Sequence, residues 1–138
     1  MNEYMVKKWL SLLGLLLGLQ AFAANTINPD KVYDSSIKTI RVHPMGNALA
    51  IPVISLSQMN PLEISFDDLK AKYQNYFYSV ELMNADWHSA NLSVFDYLQG
   101  FNQNRITQYS ISSIAIQPYY HYKFTFPNTN CRPTKSGN

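Results

Sequence analysis

The sequence predicts an all-β fold, an antiparallel β-sandwich, and three observations lead to that prediction. Short runs of apolar residues recur along the chain, and several alternate as half-buried strands do. Gly, Pro, Asn and Ser residues separate these runs, as turn residues do. No segment carries the period of a helix longer than about three turns. Regular short strands with turn signals between them are typical of a sandwich.

The first half of the mature chain contains three predicted strands. The first is IKTIRVHP at residues 37–44, which ends at a proline and a Gly-Asn turn. The second is ALAIPVISL at residues 48–56. Pro52 has no backbone N–H to donate, so it restricts this strand to a sheet edge or a bulge. The third, LEISFDDL at residues 62–69, alternates between apolar and polar residues.

The second half contains the strand with the strongest signal, YQNYFYSVELM at residues 73–83. Both of its faces carry large apolar groups, which predicts a central strand. Residues 90–101 have a weaker period and predict a connecting loop or a short helix around Val94–Leu98. A further strand is centred on Gln108–Ser112. The last, YYHYKFTFP at residues 119–127, alternates cleanly.

The N-terminus has the three parts of a secretory signal peptide. Lys7 and Lys8 precede an apolar run, Trp9–Leu19, which is too short to span a bilayer. Ala21-Phe22-Ala23 then matches the small-x-small pattern of a cleavage site. We expect cleavage after Ala23, with Ala24 as the neighbouring position and an uncleaved membrane anchor as the alternative.

Cleavage divides the chain into a signal peptide (residues 1–23), a polar linker (residues 24–36) and one β-sandwich domain (residues 37–138). The domain is long enough for a hydrophobic core. The chain stops at Ser-Gly-Asn, a turn sequence. We therefore expect a sandwich that lacks its last strand, as the truncated first part of a longer protein.

Charge and cysteine content exclude several classes of protein. Nine basic and eight acidic residues follow the leader, without a charge run. Nothing in this balance predicts binding to nucleic acid, to a membrane surface or to an acidic substrate. Cys131 is the single cysteine, so no internal disulfide can form. Its thiol is either unpaired and inert or bonded to another chain.

Catalytic and metal-binding motifs are sparse. Asp86, His88 and His121 are the one set of residues that could bind zinc or transfer protons. No HExxH, paired CxxC, GxSxG or glycine-rich phosphate loop accompanies them. The alternative is a loop aspartate at a strand end with an exposed histidine. Asp67-Asp68 are expected to be solvated residues that end a strand. We predict no catalytic residue, metal or cofactor.

The aromatic residues suit either a core or a sugar-binding surface. Four tyrosines recur at strand spacing, which favours packing between the sheets. They are Tyr76, Tyr78, Tyr120 and Tyr122. Trp87 fits the role of the single tryptophan that anchors a sandwich core near the end of a strand.

The ordered series of motifs resembles a known family. LEISFDDL, ADWHSANL, DYLQGF and YHYKFTFPN, followed by the final SGN, carry the resemblance. The chain is similar, from Tyr33 to Asn138, to the N-terminal domain of the type IX secretion system plug protein of Bacteroidota. The fold expected by this resemblance is the Ig/fibronectin-like form of the antiparallel sandwich.

The resemblance implies a periplasmic, outer-membrane-associated protein that is not an enzyme. Its partner would be the outer-membrane translocon barrel of type IX secretion, which it would plug reversibly by steric blockage. We expect no cofactor, and no membrane span after signal cleavage. Because loops at the end of a sandwich carry function, we expect partner contacts at Asp86, Trp87, His88, Tyr97 and Phe101.

Two other functions are weighed against this one. A carbohydrate-binding module would explain the aromatic content of a secreted sandwich. A secreted hydrolase is disfavoured, because the sequence lacks the motifs that such chemistry requires.

Overall fold

The structure is a computed structural model that describes residues 31–58, 60–112, 114 and 116–138. Residues 31–138 form one compact unit. The predicted signal peptide and residues 24–30 of the predicted linker lie outside the described residues. The elements, in chain order, are β1 (Ile37–Pro44), β2 (Leu62–Asp68), β3 (Phe77–Ser79), α1 (Val94–Tyr97), β4 (Leu98–Gly100), β5 (Gln103–Arg105), β6 (Gln108–Ser112), β7 (Tyr119–Phe126) and β8 (Cys131–Pro133).

A four-stranded antiparallel sheet in the order β1-β2-β7-β6 forms the larger layer. Leu62 pairs with Phe126 and Asp68 pairs with Tyr120, so β2 and β7 match along their whole length. The pairing between β1 and β2 shifts register between Lys38 and Arg41, where Thr39 has a positive φ of 54°. This bulge brings both ends of β1 into register with β2.

Two short ribbons, β3 with β5 and β4 with β8, complete the β-structure. Aromatic rings join the first ribbon to the larger sheet. The ring of Tyr78 in β3 stacks on Phe124 with centroids 4.3 Å apart. The ring of Tyr76 meets Phe66 edge-on at 5.2 Å. The prediction of an all-β, antiparallel, sandwich-like fold is confirmed.

One predicted strand does not form, and another is much shorter than predicted. Residues 48–56 form turns and irregular chain rather than a strand. Pro52 removes a donor, and the exposed side chains of this segment lie outside the core. The predicted central strand at residues 73–83 is reduced to β3, which pairs on one side with β5. Phe77 and Ser79 are exposed, so one face alone of this segment packs inward.

The remaining predicted elements are confirmed. Strands β1, β2, β6 and β7 form at the predicted positions. The one-turn helix α1 forms where residues 90–101 predicted it, and the Asp96 carboxylate accepts a hydrogen bond from the Ser93 amide at 3.1 Å. None of the helices among the described residues has the length and hydropathy needed to cross a membrane.

The core has two parts. An aromatic cluster of Phe66, Tyr76 and Tyr122 lies against β2 and β7. A second cluster contains Tyr97, Leu98 and Cys131, against which the half-buried residues Val80, Leu82, Val94 and Phe126 pack. The Cys131 thiol is free and fully buried, and this burial raises its pKa.

Candidate partner-binding surface

The segment from Asn84 to His88 is a loop that closes on its own first residue. The Asn84 side-chain oxygen accepts hydrogen bonds from the amides of Asp86 at 2.9 Å and His88 at 3.0 Å. The Asn84 amide donates to the His88 carbonyl at 2.9 Å. An isolated bridge between Met83 and Ser89 holds the base of the loop. Asparagine suits this position because its side chain readily bonds nearby backbone groups.

The prediction that Trp87 anchors the core is wrong. Trp87 lies at the tip of this loop with φ of 58°, and 52 % of its surface is exposed. Asp86 and His88 on either side of it are exposed as well. The bonds to Asn84 turn the chain back on itself outside the sheets. The 84–88 loop therefore presents three different side chains to solvent.

Tyr97 and Phe101, the other two predicted contact residues, have opposite environments. Tyr97 is 5 % exposed, and its hydroxyl donates to the Val80 carbonyl at 3.2 Å. Its side chain packs mainly in the core and also contributes to the lining of the apolar groove described below. Phe101 is 71 % exposed, and its amide donates to the Asn130 carbonyl at 2.8 Å. The backbone of Phe101 is therefore held by Asn130, whereas the 84–88 loop is held by Asn84.

An open apolar groove of about 740 Å³ lies beside the 84–88 loop. One wall is the segment Ile51–Leu56, and the opposite wall includes Val80, Leu82 and Trp87. Residues 135–138 contribute a third side. There the backbone of Asn138 exchanges two hydrogen bonds with Met83, at 2.9 and 3.1 Å. We call this feature the apolar groove.

Sequence reasoning missed the groove, although a signal for it is present. No charged residue occurs between His43 and Glu63. A stretch of that length without charge is unusual for a solvated surface segment. We interpreted ALAIPVISL as a strand in a sheet, and that interpretation hid its availability to a partner.

Asp86, His88 and His121, the one set of residues that could have bound a metal or transferred protons, are not brought together. His121 lies on β7, where its Nδ1 is 2.7 Å from an Asp67 carboxylate oxygen on β2. His88 belongs to the exposed loop instead. Across the described residues, no group of three or more His, Cys, Asp or Glu side chains could hold a metal ion.

The prediction that Asp68 is a solvated strand end is also wrong, because Asp68 is fully buried. One carboxylate oxygen accepts the Lys70 amide and the other accepts the Tyr76 hydroxyl, both at 2.9 Å. Burial, reinforced by the Asp68 carboxylate, raises the pKa of the Tyr76 hydroxyl. Asp68 therefore links β2 to the segment that precedes β3, which is a structural role.

The predicted packing of Tyr76, Tyr78, Tyr120 and Tyr122 is confirmed. Tyr122 contacts Phe66, Tyr76, Tyr109 and Tyr120 with centroids 5.0–6.2 Å apart. Its hydroxyl bonds both backbone groups of Gln74. Rings that pack on one another in this way are not free to stack on a sugar, which weakens the carbohydrate-binding alternative.

The described residues thus form a sandwich-like domain with an exposed apolar groove. Comparison with known proteins gives its family. The family model described as type 9 secretion system plug protein 1st domain matches residues 37–138. The chain belongs to this family, in agreement with the resemblance found in its motifs.

A solved structure has the same fold. A hypothetical protein from Parabacteroides merdae ATCC 43184, in a crystal structure at 2.30 Å resolution, is 33 % identical with a TM-score of 0.72. The match covers 75 % of this chain and 26 % of that chain, so this chain corresponds to about a quarter of that longer protein. No curated protein matches.

Proposed function

We propose that this domain binds the periplasmic mouth of the outer-membrane type IX translocon and helps to close it. Its membership of the plug family over residues 37–138 is the observation that carries the proposal. Closing a pore requires that a folded body occupy the opening. It requires no bond to be made or broken, so we propose a protein without enzymatic activity. The signal peptide expected at residues 1–23 would deliver the domain to the periplasm, in association with the outer membrane of Bacteroidota.

The proposed blockage is steric and reversible. A plug that leaves when cargo or another partner arrives must bind with modest affinity, because a competitor displaces it through differential binding alone. Modest affinity fits a broad surface with a few anchoring side chains. A rigid sandwich-like domain suits this task, because its sheets hold the contacting loops in place.

We propose that the contacts include Asp86, Trp87 and His88 in the 84–88 loop, and Phe101 near β4. All four side chains are exposed. Trp87 and Phe101 are large aromatic groups of the type enriched at interface centres. Tyr97 supports this surface from within, through its bond to the Val80 carbonyl.

Affinity capture tests the proposal. Tagged chain comprising residues 24–138 is incubated with detergent-solubilised envelope from a host with type IX secretion, and the retained proteins are identified. The expected result is retention of a very large outer-membrane barrel. If the chain gives a cooperative thermal melt and yet retains no barrel, the proposed function is wrong.

A set of variants then tests the contact residues. The triple substitution Asp86→Ala, Trp87→Ala and His88→Ala should abolish retention while changing the free energy of unfolding by less than about 1 kcal/mol, because all three side chains are exposed. Phe101→Ala should weaken retention. Phe95→Ala is the matched control: Phe95 is 89 % exposed on α1 and should bind like the unmodified chain. Full retention by the triple variant would assign the contacts to another surface.

A further inference from the structure

The wall of the apolar groove formed by Ile51–Leu56 has the side chains of a buried strand but not the environment of one. Ile51 is 78 % exposed and Val53 is 67 % exposed. Both line the groove. Leaving several aliphatic side chains in water forfeits the free energy that burial of their apolar surface would release. Covering this wall would therefore be favourable.

The backbone of the same segment is also without partners in the rest of the fold. The Val53 amide donates to the Ile51 carbonyl at 2.8 Å. The segment ends in a turn at residues 56–58, and within the described part of the chain none of the strands pairs with residues 51–56. Their remaining N–H and C=O groups are available for pairing with an added strand, apart from Pro52, which has no N–H.

The floor of the groove continues into the core. Val80, Leu82 and Phe126 line the groove and also pack on the cluster of Tyr97, Leu98 and Cys131. An apolar segment laid in the groove would contact this cluster on one side and the 51–56 wall on the other. Its volume of about 740 Å³ is within the usual range of binding clefts.

We infer that the apolar groove is a docking site for an extended apolar segment of the polypeptide that lies outside the first domain in longer proteins of this family. The matched family is a first domain, and the solved relative from Parabacteroides merdae is about four times as long as its matched part. In such a protein the rest of the chain is tethered to this domain, at high effective concentration. The occupant would pair with residues 51–56 as an added strand and insert alternate side chains into the groove.

The chemistry of the walls restricts the occupant. A charged side chain entering the groove would lose hydration opposite a wall without any opposite charge, since no charge lies between His43 and Glu63. Glu81 and Lys135 also line the groove, and the side chains of the other lining residues are uncharged. The inference concerns contacts within one polypeptide and does not depend on the proposed binding to the translocon.

Hydrogen–deuterium exchange tests the inference on two proteins. In this chain alone, the amides of residues 51 and 53–56 should exchange close to the rate of unstructured peptide, because they have no strand partner. In the full-length Parabacteroides merdae protein, the aligned amides should exchange at least about tenfold more slowly, because the docked segment must open first. The helix α1 serves as the control region and should exchange similarly in both proteins.

Three results would overturn the inference. Fast exchange in both proteins would show that nothing covers the wall. Slow exchange in this chain with a doubled mass by light scattering would show that a second copy covers it. Slow exchange in this chain as a monomer would show that the segment is protected within its own domain.

Discussion

The aromatic cluster on β2 and β7 and the apolar groove are both rich in strand-forming residues, yet they end in opposite environments. Tyr122 on β7 is fully buried, with aromatic rings around it and both hydroxyl bonds satisfied. Val53 in the groove wall is two-thirds exposed, and its amide donates a hydrogen bond to the carbonyl of Ile51, two residues earlier in the chain. The two regions share composition but differ in whether the fold supplies a neighbour.

The difference shows that pairing on two sides, rather than apolar content, decides which segment becomes core. β7 lies between β2 and β6: it pairs with β2 on one edge and, over residues 119–123, with β6 on the other. Residues 51–56 follow a turn and contain Pro52, which has no amide to donate, and they pair with none of the described strands.

Removing the ring at the centre of the aromatic cluster should have the largest effect. Tyr122→Ala should lower the free energy of unfolding by about 3–5 kcal/mol, because it leaves a cavity among packed rings and unpairs the backbone of Gln74. Tyr122→Phe keeps the ring and should lose about 1–2 kcal/mol, the contribution of the hydroxyl bonds. Denaturation in urea measures both. A loss below about 1 kcal/mol for the alanine variant would place Tyr122 outside the core.

Two adjacent carboxylates provide a matched pair. Asp68→Asn should lose about 1–3 kcal/mol, since both Asp68 oxygens accept hydrogen bonds in a buried site and an amide offers one acceptor oxygen. Asp67→Asn should lose less than about 1 kcal/mol, because the Asp67–His121 pair is partly solvated. Thermal melts at neutral pH compare the two variants. Equal losses would contradict the difference in burial.

High pH should destabilise the protein through the buried tyrosines. Burial raises the pKa of Tyr76, Tyr78 and Tyr122 above the ordinary tyrosine value of about 10. Between the unfolded and the folded pKa values the native state binds more protons. The contribution of these hydroxyls to the free energy of unfolding is therefore fully present below about pH 10 and is lost as the pH rises further.

Urea melts between pH 9 and about pH 11 would measure this fall. Tyr76→Phe should make the dependence on pH shallower, because the substitution removes one raised pKa. A flat profile through this range would contradict the burial of these hydroxyls.

Truncations in the groove wall should have the smallest effect. Ile51→Ala and Val53→Ala should each change the free energy of unfolding of this chain by less than about 0.5 kcal/mol, because their side chains are largely exposed. Leu49→Ala, in the same segment but outside the groove lining, is the matched control. A loss of about 2 kcal/mol or more for Val53→Ala alone would show that the wall is already covered in this chain.

The sequence was sufficient to predict the larger sheet. IKTIRVHP, LEISFDDL and YYHYKFTFP end at turn residues, and the last two alternate clearly, so β1, β2 and β7 were found close to their observed bounds. The prediction of a central strand at residues 73–83 was wrong because the outward face of this segment carries Phe77, which suggested burial on both faces. In the structure that face is exposed, and the strand pairs for three residues.

The surface was harder to predict than the sheet. Trp87 was expected in the core because a β-sandwich core often contains one tryptophan near the end of a strand. Its position depends on Asn84, whose side chain closes the loop and turns Trp87 outward. The burial of Asp68 depends on the Tyr76 hydroxyl, eight residues away. Such contacts follow from the assembled fold, and no periodicity in the sequence carries them.

The most direct measurement of the central claim is the conductance of a type IX translocon barrel reconstituted in a planar bilayer. We predict that the chain comprising residues 24–138, added on the periplasmic side, lowers the conductance and that dilution restores it. The Asp86, Trp87 and His88 triple alanine variant should leave the open conductance unchanged. Binding of the unmodified chain without any fall in conductance would contradict steric blockage as its function.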